Sequence, residues 1–377
     1  MSNDLSFQAH GRHVVTRLLF DDDKILTASD DTNIHVYDIK TGSLRKKLQG
    51  HTGGVWAMQY EGDILVSGST DCSVRVWDIP SGQCLHIFLG HTATVRCLLM
   101  LKPALKSNHT NTAQTVMSKE PLFITGSRDA TLRVWKLPCP SNQQVLGSSS
   151  AIPSSPIAQD VNPYFQRVMA GHENNIRDIA AHGDTLISGS FDCTIGVWQI
   201  SSGNLRHRLR GHTQKIYSVD LDHKRGQCIS GSMDRSIRVW SVDTGDCLFT
   251  LHGHNSLVGF LNFSHGYLVS AGPDGRLRVW DPDYQTSQSI LFEHNGAVTC
   301  FQHDGQKVIS AGGRILKMWD IATGRCVRDV LDSCDGIWQV GFDKEKCVAA
   351  VQRDGMTYIE VCPCEIPKIA WKAANDI

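Results

Sequence analysis

A unit reading Gly-His, then Ser-Gly-Ser-x-Asp, then an apolar run ending in an aromatic residue recurs along the chain. Self-similarity at a fixed period constrains a fold more than any single motif does. His10, His51, His91, His172, His212, His254 and His294 mark successive units, and Tyr37, Trp77, Trp135, Trp198, Trp240, Trp280 and Trp319 close them. The steps from Tyr37 to His51, Trp77 to His91, Trp198 to His212, Trp240 to His254 and Trp280 to His294 are 14 residues each. Fourteen residues past Trp319 stands Ser333, and Gly336-Ile337-Trp338-Gln339-Val340 followed by 354–361 reads as a degenerate eighth unit without its His or Trp. Eight units account for the chain.

Each unit is a series of short apolar segments, such as Ile64-Leu-Val-Ser and Val74-Arg-Val-Trp, broken by Gly, Asp and Ser. That pattern predicts four antiparallel strands and no helix. Composition narrows the class: 41% hydrophobic and 20% charged residues suit a large core. The 37 Lys+Arg against 38 Asp+Glu leave a net charge of -1, which argues against nucleic acid or a membrane surface as partner. No apolar run reaches the ~20 residues of a membrane span and the first ten residues lack a signal-peptide core, so the expectation is a soluble protein of the nucleus or cytoplasm. Thirteen Cys, an odd number, fit reduced thiols in such a compartment, where the sequons at Asn108 and Asn262 stay idle.

The Gly-His and Trp-Asp landmarks in units of ~40 to 45 residues resemble the WD-repeat family. Trp77-Asp78, Trp280-Asp281 and Trp319-Asp320 carry the literal dipeptide; Tyr37-Asp38, Trp135-Lys136, Trp198-Gln199 and Trp240-Ser241 are its variants. The resemblance implies an all-β, eight-bladed β-propeller forming a single domain over residues 1–377. It also implies that each His bonds the Asp six residues before the aromatic: Asp31, Asp71, Asp129, Asp192, Asp234 and Asp274. Recurrence at one spacing makes these blade staples, since an enzyme needs one acid-base site and not seven. Blade seven has Gly313 at the Asp position and blade eight has no His. Closure is expected from a swapped strand, either residues 5–9 or the tail 368–371.

Two insertions interrupt blade three. His91 to Trp135 spans 44 residues where His51 to Trp77 needs 26, and Trp135 to His172 spans 37 where 14 is usual, surpluses of 18 and 23. They fall at about 102–121, between strands a and b, and about 138–164, between strands c and d, a segment rich in Ser, Pro, Gln and Asn. In an up-and-down blade both lie on one face, called here the bottom.

Positions common to every blade serve the scaffold, so residues that differ at equivalent positions carry the function. Arg75, Arg133, Arg238 and Arg278, with Lys317 and His35, lie two before the aromatic and read as solvated or ion-paired strand residues. At the top rim, strand a begins five residues after the His and offers Val15, Trp56, Arg96, Arg177, Tyr217, Gly259, Thr299 and Trp338. Strand b ends seven before the aromatic and offers Asp30, Thr70, Arg128, Phe191, Met233, Pro273, Gly312 and, from the degenerate unit, Arg353. Arg96, Arg128 and Arg177 therefore gather on blades three and four, flanked by Trp56, Phe191, Tyr217 and Met233. A guanidinium fork binds phosphate bidentately at any working pH. A phosphoserine or phosphothreonine brings nearly two charges and three acceptor oxygens, and Arg clusters are an established way of capturing such motifs.

Gly90-His-Thr-Ala-Thr-Val-Arg-Cys97, Thr125-Gly-Ser-Arg-Asp-Ala-Thr-Leu-Arg-Val-Trp135 and Ser81-Gly-Gln-Cys-Leu-His86 are similar to the F-box/WD-repeat substrate receptors of cell-division-control protein 4 type. That resemblance implies a non-catalytic substrate-recognition subunit of an SCF-type ubiquitin ligase. In it Arg96, Arg128 and Arg177 bind a phosphodegron phosphate, and Trp56, Thr70, Thr94, Phe191, Tyr217 and Met233 line the peptide groove. The partners implied are phosphorylated proteins, with the ligase adaptor engaged only if an F-box is supplied elsewhere. The family has Arg or a similar residue where this chain has Cys72, and the chain shows no F-box.

No cofactor or metal is expected. Cys362-Pro-Cys364 is too tightly spaced for a usual zinc half-site, and no Gly-rich Lys-Ser/Thr phosphate loop exists. Two alternatives remain: a generic WD-repeat scaffold that ignores phosphorylation, and an enzyme, for which Asp30 is the sole rim carboxylate.

Overall fold

The chain, seen in a computed structural model, is described over residues 5–101, 120–138, 162–280 and 290–364. These residues contain 32 strands and no helix; no helix is long and apolar enough to cross a membrane. The strands form eight four-stranded sheets, each a blade. Seven are built from four consecutive strands, a to d, and the eighth joins the last three strands to the first. The fold class is all-β, an eight-bladed β-propeller.

The Ser-Gly-Ser signature is explained by packing. Strand b of blade two, Ile64–Ser69, is buried at all six positions, because both faces of a blade meet a neighbour. A Cβ on Gly68 would come within 2.5 Å of Val95, and on Gly189 within 2.7 Å of Val219, each in strand a of the next blade. Glycine is needed there so that successive sheets can approach. Trp77, Trp135, Trp198 and Trp240 are each 1% exposed, and truncating such a residue costs roughly 3–5 kcal/mol.

The Trp also anchors the staple. In blade two Trp77 Nε1 donates to Ser67 Oγ at 2.8 Å, Ser67 Oγ meets His51 Nε2 at 2.8 Å, and His51 Nδ1 meets Asp71 at 2.8 Å. Blades three, four and six repeat the chain through Thr125, Ser188 and Ser270, with His91–Asp129, His172–Asp192 and His254–Asp274 at 2.8–2.9 Å. His10 and Asp31 do the same in blade one at 2.8 Å. In blade five His212 and Trp240 both meet Ser230, at 2.8 and 2.9 Å, while Asp234 accepts from Ser236 in its own turn. Burial holds His51, His91 and His254 below the usual imidazole range despite the facing carboxylates. Burial pushes Asp71, Asp129 and Asp192 up, but the hydrogen bonds from the His and from the turn groups outweigh it and leave them well below the carboxylate range. The pair is therefore a neutral imidazole donating Nδ1–H to a carboxylate, and every donor in the chain is satisfied.

Blade seven departs from the sequence count in an instructive way. Trp319 bonds Ser310 across 9 residues where other blades span 10, and Gly312 pairs with Ile315 around a two-residue turn. The turn has lost a residue, so Gly313 does not replace the Asp; it holds the left-handed conformation (φ 65°) that Cys72 and Ala130 hold elsewhere. His294 keeps Ser310 at 2.7 Å, but its buried Nδ1 has no partner.

The strand-c cations, expected to be solvated or ion-paired, divide: Lys317 is ion-paired as expected, Arg133 and His35 are buried, and the other arginines lie against Trp rings. Arg75, Arg238 and Arg278 lie 5.9, 5.9 and 6.0 Å from the centres of Trp77, Trp240 and Trp280. Arg133 is only 7% exposed and donates to the Gly90 carbonyl. His35 is buried and stacks on His10 at 3.9 Å. Lys317 is ion-paired, with Asp329 at 2.6 Å.

The chain divides into two compact units. One comprises Met1–Lys47, Met233–Ile237 and Leu251–Ile377; the other comprises Leu48–Ser232 and Arg238–Thr250. In the first, Leu5–Gln8 pairs antiparallel with Met356–Pro363, Leu5 opposite Val361 and Gln8 opposite Tyr358, so the N-terminal segment completes the last blade; the tail 368–371 lies outside the described residues. Most of both insertions, 102–119 and 139–161, also lies outside them. Their flanks, Leu101 with Leu122 and Lys136 with Phe165, share the end of blade three opposite the Arg96 end.

Candidate functional site

In the second unit the strand-a segments Val55–Glu61, Val95–Leu101, Ile176–His182 and Ile216–Asp222 run side by side. Each pairs with its strand b through a β-bulge one residue from its start, between Val55 and Ala57, Val95 and Cys97, Ile176 and Asp178, and Ile216 and Ser218. The bulged residues are Trp56, Arg96, Arg177 and Tyr217. A bulge takes a residue out of the ladder and re-aims its side chain, so four consecutive blades direct these four residues differently from the core positions beside them. In blade one the bulge falls between Val15 and Arg17. The bulged residue there is Thr16, itself buried at 6% exposed; Val15, reached by counting from His10, is 1% exposed and belongs to the core.

The residue after strand b is fixed to the same end. Thr70 N–H donates to Gly54 O, Arg128 N–H to Thr94 O and Phe191 N–H to Asn175 O, each at 2.9 Å. Arg128 is thus tied to the segment leading into Arg96, and Arg177 opens the neighbouring strand a. Arg96 lies over Trp56 with its guanidinium carbon 4.4 Å from the ring centre, and Arg177 lies 5.9 Å from the Tyr217 ring. Tyr217 and Phe191 are 5.2 Å apart. Thr70 Oγ1 also reaches Gly54 O at 3.4 Å. Met233 is 41% exposed and belongs to the other compact unit. Lys215 was missed from sequence: its Nζ stands 5.0 Å over Phe191. It occupies the position of Gly54, Thr94 and Asn175, two residues before Trp56, Arg96 and Arg177, and its departure from those neutral residues is the available signal.

Three carboxylates next in sequence to rim residues have partners of their own. Asp129 and Asp192, which follow Arg128 and Phe191, are held by His91 and His172. Asp178 accepts from Ser218 Oγ at 2.9 Å and Val219 N–H at 3.1 Å. Among the described residues neither Arg128 nor Arg177 forms an ion pair. Arg128 is exposed and Arg96 and Arg177 are half-buried. Such a patch can hold a multivalent anion through forked donors and can lay apolar groups on Trp56 or on the Phe191–Tyr217 pair. His10, Asp31 and His35 have ligand atoms within 4.8 Å of one another, but His10 spends its two nitrogens on Asp31 and Thr27 and its ring is parallel to that of His35.

The WD domain, G-beta repeat family matches residues 42–78, 82–136, 164–199, 203–241, 245–281 and 285–320. The chain belongs to this WD-repeat family, and is a non-catalytic binding module. It is 44% identical over 364 residues, 95% of its length, to cell division control protein 4 of Candida albicans, of which it covers 52%. It is 37% identical over 381 residues to cell division control protein 4 of Saccharomyces cerevisiae, 94% of this chain and 47% of that protein. It is 40% identical to the WD repeat-containing protein pop1 of Schizosaccharomyces pombe, 94% of this chain and 47% of that one. The chain thus spans about half the length of these relatives. A computationally designed protein, Ika8, has a similar solved structure, with a TM-score of 0.75 and 26% identity over 95% of this chain and 98% of its own.

Proposed function

We propose that this chain is the substrate-recognition propeller of an SCF-type ubiquitin ligase, acting as one domain that captures phosphoserine or phosphothreonine degrons through Arg96, Arg128 and Arg177. The carrying observation is that blades three and four put three arginines at adjacent rim positions, while Asp129, Asp192 and Asp178 are occupied by other donors. A phosphate would offset the repulsion among the guanidinium groups and form charge-assisted bonds worth roughly 1.5–3 kcal/mol each. Trp56 with Thr70 and Thr94, and Phe191 with Tyr217, would line the peptide groove; Met233, expected there from sequence, belongs to the other compact unit. The similarity to cell division control protein 4 supports this reading and, with it, a nuclear or cytoplasmic role in the cell cycle. Docking on the ligase adaptor requires an F-box.

The test is retention of cellular proteins on the immobilised chain before and after phosphatase treatment of the lysate. Loss of the retained proteins on treatment supports the reading; unchanged retention favours a scaffold that ignores phosphorylation.

A further inference from the structure

The bulged residue of strand a is followed by Arg17, Ala57, Cys97, Asp178, Ser218, Cys300 and Gln339 in the seven blades that carry the bulge. Asp178 is the one carboxylate in that series. It sits directly after Arg177, yet its oxygens turn to the neighbouring strand. Oδ2 accepts from Ser218 Oγ at 2.9 Å and from Val219 N–H at 3.1 Å, and Oδ1 accepts from Ile179 N–H at 3.0 Å. Ser218 immediately follows Tyr217, the ring under Arg177. Other seams between strand-a neighbours are tied by neutral groups: Gln59 Oε1 takes Met100 N–H at 2.6 Å, Gln302 Oε1 takes Phe342 N–H at 2.8 Å, and beside the bulge Thr299 Oγ1 donates to Ile337 O at 2.8 Å. Between blades four and five a charged acceptor, Asp178, makes this tie next to the rim.

We propose that Asp178 is a positioning residue for phosphate capture: its carboxylate locks the Arg177 strand to the Tyr217 strand, fixing the Arg177–Tyr217–Phe191 stack, and leaves the Arg177 guanidinium unpaired for the ligand. A carboxylate accepting neutral N–H and O–H groups anchors two strands more strongly than an amide would, and spent on them it does not neutralise the adjacent cation. The inference rests on the phosphate-binding reading for its functional consequence, but its geometric part stands independently.

The experiment uses the whole chain and calorimetric titration of a phosphothreonine-Pro peptide with apolar residues before the phosphothreonine. The variants are Asp178→Ala, Asp178→Asn, Arg177→Ala and Asp178→Ala with Arg177→Ala. Asp178→Ala is expected to weaken binding about tenfold, Asp178→Asn less, and the double variant no more than Arg177→Ala alone, because Asp178 acts through Arg177. Losses that multiply in the double variant, or wild-type affinity in Asp178→Ala, overturn the proposal. If Asp178→Ala does not fold, Ser218→Ala replaces it and is expected to weaken binding several-fold, again only where Arg177 is present. Should the wild-type chain show no preference for the phosphorylated peptide, the phosphate-binding reading fails, and the crystal structure of the variant decides the geometric part. Separation of the Arg177 guanidinium from the Tyr217 ring upholds it and an unchanged stack refutes it.

Discussion

Gly196 and Arg208 face each other across strands c and d of blade four, and Arg208 reaches the Gly171 carbonyl. Arg133 and Arg278 serve the equivalent carbonyls of Gly90 and Gly253 at 2.7 and 2.6 Å from strand c. Blade four has glycine at that strand-c position, where an added Cβ would meet Trp198 Nε1, and supplies the cation from strand d. Arg208→Ala should therefore destabilise as Arg133→Ala does, by roughly 1–3 kcal/mol for a half-buried carbonyl left without its donor. Urea denaturation of the two variants checks this, and an unaffected Arg208→Ala midpoint would count against the exchange of roles.

His91 and His294 occupy equivalent staples with unequal partners. His91 bonds both Asp129 and Thr125, whereas His294 bonds Ser310 alone. Replacing His91 by Ala should cost about 3 kcal/mol, since it empties a buried site and removes two hydrogen bonds, to Asp129 and Thr125, and replacing His294, which makes one, about half as much. Thermal melting should rank the variants in that order.

Acid should weaken the fold before the carboxylates titrate. Burial pushes His294 down to about 4, and burial with the neighbouring His10 pushes His35 down to about 4, from an ordinary 6.5. The unfolded chain takes up these protons as pH falls below 6.5 while the folded chain resists until about pH 4. Stability is thus full above pH 6.5 and is lost between 6.5 and 4, by roughly 1.4 kcal/mol per pH unit for each His. Asp31, which burial raises but the His10 bond brings to about 2, adds a loss only below about pH 4. Melting temperatures should be flat from pH 8 to 7 and fall from 6.5 to 4, less steeply in His294→Gln.

The cations on strand c and at the rim should separate stability from binding. Arg75 covers the Trp77 face, so Arg75→Ala should lower the melting temperature and leave phosphopeptide affinity within twofold. Arg128 is exposed and unpaired among the described residues, so Arg128→Ala should do the reverse. Paired melting and titration of the two variants would reveal any mixing of the roles.

The eight units and the His–Asp staples were legible in the sequence because each depends on residue identity at a fixed spacing. Backbone irregularities carry no such mark. The bulges that expose Trp56, Arg96, Arg177 and Tyr217, and the extra residue that puts Thr16 rather than Val15 at the blade-one bulge, emerged only from strand register. The lost turn residue in blade seven imitated a Gly-for-Asp exchange until Trp319 and Ser310 fixed the count. Strand-c arginines read as solvated or ion-paired because a charged side chain in an alternating strand usually points outward; for Arg75, Arg238 and Arg278 the Trp ring takes the stem and the flat guanidinium. Lys215 stands two residues before the strand-a rim position, in the loop, where the repeat puts no common residue.

The central claim is that the Arg96, Arg128 and Arg177 rim binds phosphate. Calorimetric titration of one peptide, with and without phosphate on a threonine that precedes proline, tests it most directly. The phosphorylated form should bind at least tenfold more tightly, about 1.4 kcal/mol, and Arg96→Ala or Arg128→Ala should erase that difference. Equal affinities for the two forms would contradict the account.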